Sequence, residues 1–276
     1  PYAWYHAKRW HALLRSRFSF PGQCGPWCVL AFILLGLLSQ FGSAASEAND
    51  PSTIVERMAT AYNGIKDYTA LFLKRERMDG KLKPMEKIEL RFQEPFKVYM
   101  GWYEPYAGRA IAYIEGENDN KIQVNPGGML KLMRLSLAPT SYLATRNDHH
   151  SILQAGIRNT IKMIVQQYQR GKARDQVTVH LQGNEAVDGR PTYHLEFIYP
   201  PDKKAGYYAY RAEVWIDKEF YLPTKLRIYD WGNQLYEYYE YRSLQLNPGL
   251  APEAFRLASP ESKRQPEPKQ LGDSSS

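Results

Sequence analysis

The chain has 276 residues, with 36 lysines and arginines against 29 acidic residues, a formal net charge of +7, and two cysteines. Both cysteines and four of the basic residues fall within the first 45 positions, so the remainder sets 32 basic residues against 29 acidic ones, a net +3. That balance does not imply a nucleic-acid partner. With both cysteines in that first stretch, an internal disulfide or a cysteine-ligated metal site is excluded from residue 46 onward, so the domain must fold on its core alone.

Lys8, Arg9, Arg15 and Arg17 precede an uncharged apolar run, Trp27 to Leu38, and the small residues Gly42, Ser43, Ala44 and Ala45 follow it. A positive region, an apolar stretch of about a dozen residues and a small-residue site predict an export signal cleaved near Ala44 or Ala45. The alternative, an uncleaved anchor, needs roughly 20 apolar residues to cross a bilayer, and this run falls short. A lipobox is not matched, because Cys24 and Cys28 lie before or at the start of the apolar run. The chain opens on Pro1, and residues 1–20 are given no functional weight. Residues 1–45 are therefore read as signal and upstream sequence, 46–258 as one domain, and the Ser-, Pro- and Lys-rich stretch 259–276 as a disordered tail.

Asp50 and Pro51 read as the N-cap and first position of a helix, and Ile54, Val55, Met58, Ala61, Tyr62 and Ile65 recur at helical spacing up to Asn63-Gly64. From Tyr68 the period changes to that of strands. Tyr68–Arg77 runs into Asp79-Gly80, a hairpin signal, and further strands are predicted at Glu86–Phe92, Lys97–Tyr103, Ala110–Glu115 and Lys121–Val124. Pro126-Gly127-Gly128 turns the chain before Met129–Leu137 completes an antiparallel meander. A second, longer helix is predicted from the stripe Ile152, Ala155, Ile157, Ile161, Ile164, Val165 and Tyr168, with Gly171 able to close it. Strands resume at Gln176–Gln182, Thr192–Tyr199, Arg211–Asp217, Thr224–Asp230 and Gln234–Leu244. Sheet dominates, with two helices available to cover one face.

Several strands place bulky residues on both faces, as in Tyr99-Met100-Gly101-Trp102-Tyr103 and Leu235-Tyr236-Glu237-Tyr238-Tyr239-Glu240-Tyr241. A sheet facing water on one side would alternate more cleanly, so both faces are expected to be partly covered. Tyrosine's own strand propensity and tolerance of exposure is the simpler alternative for any one of them.

The order Val214-Trp215-Ile216-Asp217, Leu222-Pro223, Thr224–Asp230, Gly232-Asn233 and Tyr236-Glu237-Tyr238-Tyr239, ending in Asn247 and Leu250–Phe255, resembles the closing hairpin of the Lol-type outer-membrane lipoprotein carriers and related envelope-stress sensor domains. The helix, the Tyr68-to-Phe72 strand carrying Arg75, and the Gly80 hairpin resemble their opening. Order and length are most similar to an uncharacterised secreted family, a domain of unknown function, in that superfamily. The resemblance covers roughly Asp50 to Ala258. It implies an α+β, mainly antiparallel fold: a curved, unclosed half-barrel sheet with two main helices covering the concave side, and an apolar cavity for an acyl chain or lipidated peptide. The carriers tie their lid to the barrel with an arginine, and Arg75 and Arg91 are the candidates by position.

Enzymatic apparatus is not visible. The chain lacks Gly-x-Ser-x-Gly, His-Glu-x-x-His and a phosphate-cradling glycine loop. His180 and His194 could face one another across strands, with no nucleophile beside them. Glu237 and Glu240, three apart on one strand, fall on opposite faces. Asp148-His149-His150 precedes the second helix, where Asp148 or Ser151 can serve as an N-cap; that reading is preferred to a metal site. No catalytic residue, cofactor or metal is assigned. Apolar burial would suffice for binding, since about 0.8 kcal/mol per methylene lets an enclosed chain of about 16 carbons gross on the order of 10 kcal/mol. The candidate lining is Phe72, Tyr99, Trp102, Trp215, Tyr229 and Tyr238 from the strands with Ile157, Ile161 and Ile164 above them, although the same residues could form a sealed core. The expectation is a monomeric periplasmic or secreted protein that binds a lipid, acyl chain or lipidated protein. The alternative is an envelope sensor that binds another protein through the half-barrel.

Overall fold

A computed structural model describes residues 49–257. The export signal, its cleavage site and the tail 259–276 lie outside the described residues. The first helix, α1 (Pro51–Ala61), begins where the sequence predicts: the Asp50 side chain accepts from the Thr53 backbone N–H at 3.1 Å, and Pro51 needs no such partner. Its apolar stripe, Ile54, Val55 and Met58, is buried.

The described strands are β1 (Asp67–Met78), β2 (Lys81–Leu82), β3 (Glu86–Gln93), β4 (Lys97–Glu104), β5 (Ala110–Ile114), β6 (Ile122–Asn125), β7 (Leu135–Leu137), β8 (Thr178–Val187), β9 (Arg190–Ile198), β10 (Arg211–Asp217), β11 (Pro223–Tyr229) and β12 (Leu235–Leu246). They form one antiparallel sheet in the order β7-β6-β5-β4-β3-β1-β12-β11-β10-β9-β8, with β2 paired to β1. The long strand β1 therefore sits at the centre, flanked by β3 and by β12, nearly the last described element. The chain meanders outward from β1 to one edge, crosses to the other, and meanders back. The edges β7 and β8 do not pair with each other, so the half-barrel is unclosed, as expected from the resemblance.

Asp79 and Gly80 adopt positive φ values of 50° and 74°, the two-residue hairpin that Asp-Gly favours. Curvature has identifiable causes along the strands. Register shifts between Thr69 and Leu71, Lys87 and Ile88, Leu181 and Gly183, and Trp215 and Ile216 insert bulges that bend and twist the sheet.

The crossover carries two further helices, the short α2 (Tyr142–Thr145) and the long α3 (Ile157–Ala173). Here the structure departs from the periodicity. The stripe from Ile152 reads as one helix, yet Ile152–Gln154 is a separate 3₁₀ turn closed by a capping box between Ser151 and Gln154. Gly156 divides the two at φ 99°, where a Cβ would come within 2.8 Å of the Phe92 ring. The helix also runs through Gly171 to Ala173. Gly171 is buried inside it, and a Cβ there would lie 2.6 Å from the Val177 Cβ, so this glycine permits close approach and does not end the helix. Met129–Leu137 contributes strand only at Leu135–Leu137; Gly128–Leu130 is a 3₁₀ turn, and Met129, Leu130, Leu132 and Met133 are exposed.

Ile157, Ile161, Ile164 and Tyr168 of α3 and the stripe of α1 pack with Tyr68, Phe92, Leu195, Phe197, Val214 and Leu226 into the core on one face of the sheet. The other face is covered partly by the C-terminal segment, whose Phe255 is buried against β4 and β5, and partly by the sheet's own charged side chains. Arg91 lies over the Tyr99 ring at 4.7 Å, Arg211 over Tyr229 at 3.7 Å, and Trp215 is stacked on His194 at 4.1 Å and covered by Lys225 at 4.2 Å. Cations within about 6 Å of aromatic faces cover these bulky outward residues of the strands.

A lidded cavity and its polar cluster

Between the β3–β7 half of the sheet and the crossover lies a cavity of about 470 Å³. This is the size of a site for a small organic ligand, about 300–1,000 Å³. Its wall is built from alternate residues of successive strands: Phe72 of β1, Ile88 and Leu90 of β3, Met100 and Trp102 of β4, Ile111 of β5, and Ile122 and Val124 of β6. Period two puts all of these on one face. The roof is the crossover segment, with Leu143, Ala144, Ile152 and Leu153, together with Met163 and Gln166 from the flank of α3.

A polar cluster pins this roof to the sheet. Lys74 of β1 forms an ion pair with Asp148 of the crossover and lies 3.3 Å from Glu76. The His149 backbone N–H donates to Glu76 at 3.2 Å, while its ring Nδ1 lies 2.8 Å from Glu237 Oε1 of β12. The second ring nitrogen, Nε2, lies 2.9 Å from the Arg77 carbonyl, so it carries the hydrogen that is donated there. His150 Nε2 is 3.0 Å from the Tyr208 hydroxyl and 3.2 Å from Glu237 Oε1. Tyr208 in turn donates to Glu237, and Tyr239 donates to Glu76. The His149 ring is stacked on Tyr236 at 4.0 Å. Lys74, Glu76, Asp148, His150, Tyr208 and Tyr239 also line the cavity, adding a charged patch to a mainly apolar enclosure that Arg109 and Lys162 also border.

The electrostatics follow from this packing. Glu237 has no exposed surface, and burial alone would raise its pKa; the hydrogen bonds from His149 and His150 and the Tyr208 hydroxyl outweigh that and hold the carboxyl at about 2. Burial likewise disfavours the charge on both imidazoles, yet Glu237 overrides it and raises each above its ordinary value. Burial and the neighbouring Glu237 charge push the Tyr208 hydroxyl far up, so it remains a donor.

Of the residues proposed from sequence as lining, Phe72 and Trp102 face the cavity. Ile157, Ile161 and Ile164 are in the adjoining core, because the apolar stripe of α3 points at the sheet and its polar flank, Asn159, Lys162 and Gln166, faces the cavity. Tyr99, Trp215, Tyr229 and Tyr238 lie on the opposite face: Tyr99, Trp215 and Tyr229 under the cations described above, and Tyr238 donating to Glu240. Each is one position away in parity from a residue that points inward. Arg75 and Arg91 also point outward, Arg75 donating to the Lys83 carbonyl at 2.8 Å and Arg91 to the Ala254 carbonyl at 2.9 Å. Neither reaches the crossover, whose cation tether from the sheet is Lys74. Asp148 is a partner of Lys74 and not a cap; Ser151 caps the 3₁₀ turn. His180 is opposite Glu196 and His194 opposite Gly183, so the two histidines do not meet. The sequence reading missed Glu237 as a site residue, and only the proximity of two adjacent histidines to a carboxylate could have hinted at it.

An unclosed antiparallel half-barrel with an apolar cavity under a helical crossover defines the class of protein. The chain belongs to the family of proteins of unknown function DUF1571, whose model matches residues 65–263. No match is found among curated proteins. Similar solved structures include lipoprotein LppX of Mycobacterium tuberculosis, at 13% identity over 73% of this chain and 99% of that one, with a TM-score of 0.44. A LolA superfamily protein of Nitrosomonas europaea is 12% identical over 75% of this chain and 97% of its own, with a TM-score of 0.35. The Pseudomonas aeruginosa MucA/MucB complex gives 15% identity over 76% of this chain, with a TM-score of 0.43; this chain spans 61% of that one.

Proposed function

We propose that this protein is an exported, non-catalytic binding or carrier protein that holds an amphiphile, a lipid, an acyl chain or a lipidated peptide, in the cavity beneath the crossover. The observation that carries this reading is the character of the enclosure: apolar side chains from five strands form its wall, and the charged patch around Lys74 and Asp148 lies within the same space. An acyl chain would bury methylenes against Ile88, Leu90, Met100 and Ile122, and a polar head would meet the patch. No reacting group is needed for this, since burial supplies the affinity. The basic and apolar leader at the chain's start supports export, with the periplasm as the compartment.

Native mass spectrometry of protein recovered from its own envelope tests the reading. A co-purifying lipid, displaced by a fluorescent fatty acid, is the expected result; protein that is consistently empty and ignores the probe overturns it.

A second reading, a module that binds another envelope protein, is favoured by one specific observation. Met129, Leu130, Leu132, Met133, Tyr142 and Leu143 are all exposed and flank the edge strand β7 in sequence, and exposed apolar patches mark interaction surfaces. A photo-cross-linker at Leu132 in cells should then capture one dominant partner, and capture of none removes this reading.

A further inference from the structure

The polar cluster contains an arrangement that holding a ligand in the cavity does not require. One ligand atom each from Glu76, His149 and Glu237 lie within 4.8 Å of one another. Two of these residues are almost wholly buried and belong to neighbouring strands, β1 and β12, where Glu76 and Glu237 are paired in register. The third comes from the crossover. Carboxylates directly opposite each other on adjacent strands repel, and burial strengthens the repulsion. Lys74, 3.3 Å from Glu76, supplies one positive charge beside them.

Two further details point to a second cation. The first is Glu237 Oε2, which is buried and has no hydrogen-bond partner, although Oε1 of the same carboxylate is crowded by His149, His150 and Tyr208. A buried carboxylate oxygen left without a donor is costly, and a cation would satisfy it. The second is the orientation of His149. With its Nε2 hydrogen committed to the Arg77 carbonyl, the ring points Nδ1 at Glu237 Oε1, 2.8 Å away. Such a contact is stable only with a proton or a metal ion at that place. A histidine whose remote N–H is fixed on a backbone carbonyl is also how metal-ligating imidazoles are held.

We propose that Glu76, His149 and Glu237, with His150 alongside, form a site for a borderline divalent cation such as Zn²⁺. Imidazole and carboxylate donors suit such an ion, which binds nitrogen and oxygen at about 2.0–2.2 Å. A divalent ion would replace the imidazolium protons: with the imidazoles neutral, Glu76, Glu237 and Asp148 against Lys74 leave two negative charges, which one such ion balances. The ion joins the crossover to the two central strands and so fastens the roof of the cavity. This site does not depend on what the cavity holds.

The test uses the full chain, stripped with a chelator and titrated with Co²⁺ and then Zn²⁺. One Co²⁺ per chain with visible d–d absorption, displaced by Zn²⁺, is expected. Glu237→Gln and His149→Ala should each weaken Zn²⁺ binding by about tenfold or more, and the exposed His180→Ala should not change it. Zn²⁺ should also slow amide exchange over residues 138–156 in the wild-type chain. Wild-type protein without Co²⁺ absorption overturns the proposal whether or not the variants fold. Retention of wild-type affinity by both site variants, or its loss in His180→Ala, overturns it equally.

Discussion

His149 and Glu237 are 88 residues apart along the chain and 2.8 Å apart in space, one on the crossover and the other on the strand that pairs with β1. Their contact can form only after β12 has returned to the centre of the sheet. Closure of the roof is thereby tied to completion of the half-barrel, because the last described strand supplies the carboxylate that holds a loop lying midway along the chain.

Lys74 and Asp148 form the second tether, and both side chains are largely shielded. Asp148→Asn leaves the Lys74 ammonium with Glu76 alone and is expected to cost about 1.5–3 kcal/mol, the range for a hydrogen bond to a charged group. Amide exchange over residues 138–156 should accelerate while that of β1 and β12 is little changed. Unaltered exchange in the crossover would mean that this ion pair does not hold it.

Adjacent residues of β4 should behave oppositely toward a ligand. Met100 faces the cavity and Tyr99 lies outside under Arg91. Met100→Glu places a charge against the apolar wall and should weaken binding of a fluorescent fatty acid by about tenfold or more, roughly 1.4 kcal/mol or more. Tyr99→Ala should leave it unchanged. Equal effects would show that the probe binds elsewhere.

Gly171→Ala tests the close approach of α3 to Val177. Alanine gains up to about 1 kcal/mol of helix propensity over glycine, but its Cβ would be 2.6 Å from the Val177 Cβ. Overpacking of this kind costs about 1–3 kcal/mol. A net fall in the melting temperature is expected, and Gly171→Ala combined with Val177→Ala should recover part of it.

Acid should destabilise the domain partly through Asp217. Burial alone would raise its carboxyl, but the Arg190 guanidinium at 2.5 Å and the backbone N–H groups of Phe220 and Glu219 outweigh this and hold it below the ordinary carboxylate value. The folded state therefore binds the proton less readily than the unfolded state. The stability Asp217 contributes is fully present above the unfolded value near 3.9, and is lost as pH falls through the lower folded value. Urea midpoints measured from pH 7 to pH 3 should fall less steeply in acid for Asp217→Asn than for wild type, from a lower starting point at pH 7. Parallel curves would exclude this carboxylate as a source of the acid sensitivity.

Much of the scaffold was legible from local chemistry. Asp50 and Pro51 announced α1, Asp79-Gly80 announced the β1–β2 hairpin, and alternation marked β3 and β11. The ends of α3 were less legible: its apolar stripe continues back to Ile152, while the break comes from Gly156, at φ 99° with the Phe92 ring packed where a side chain would stand. The site was least legible. Tyr238 and Tyr239 are equivalent as sequence, yet one bonds to Glu240 outside and the other to Glu76 beside the cavity. Glu237 and Glu240 do lie on opposite faces, as the spacing requires, but no spacing along β12 reveals that two histidines approach one of them.

By itself, the amino-acid order determined which segments become helix, hairpin and strand, since caps, turn residues and periodicity act over a few neighbouring positions. Tertiary structure alone decided which face turns inward in β4 and β12, because strands aromatic on both sides carry no sign of inside and outside until α1, α3 and the crossover cover one of them. It also decided where the charged cluster forms, because that cluster is assembled from β1, the crossover and β12, and their meeting depends on pairings that span most of the domain.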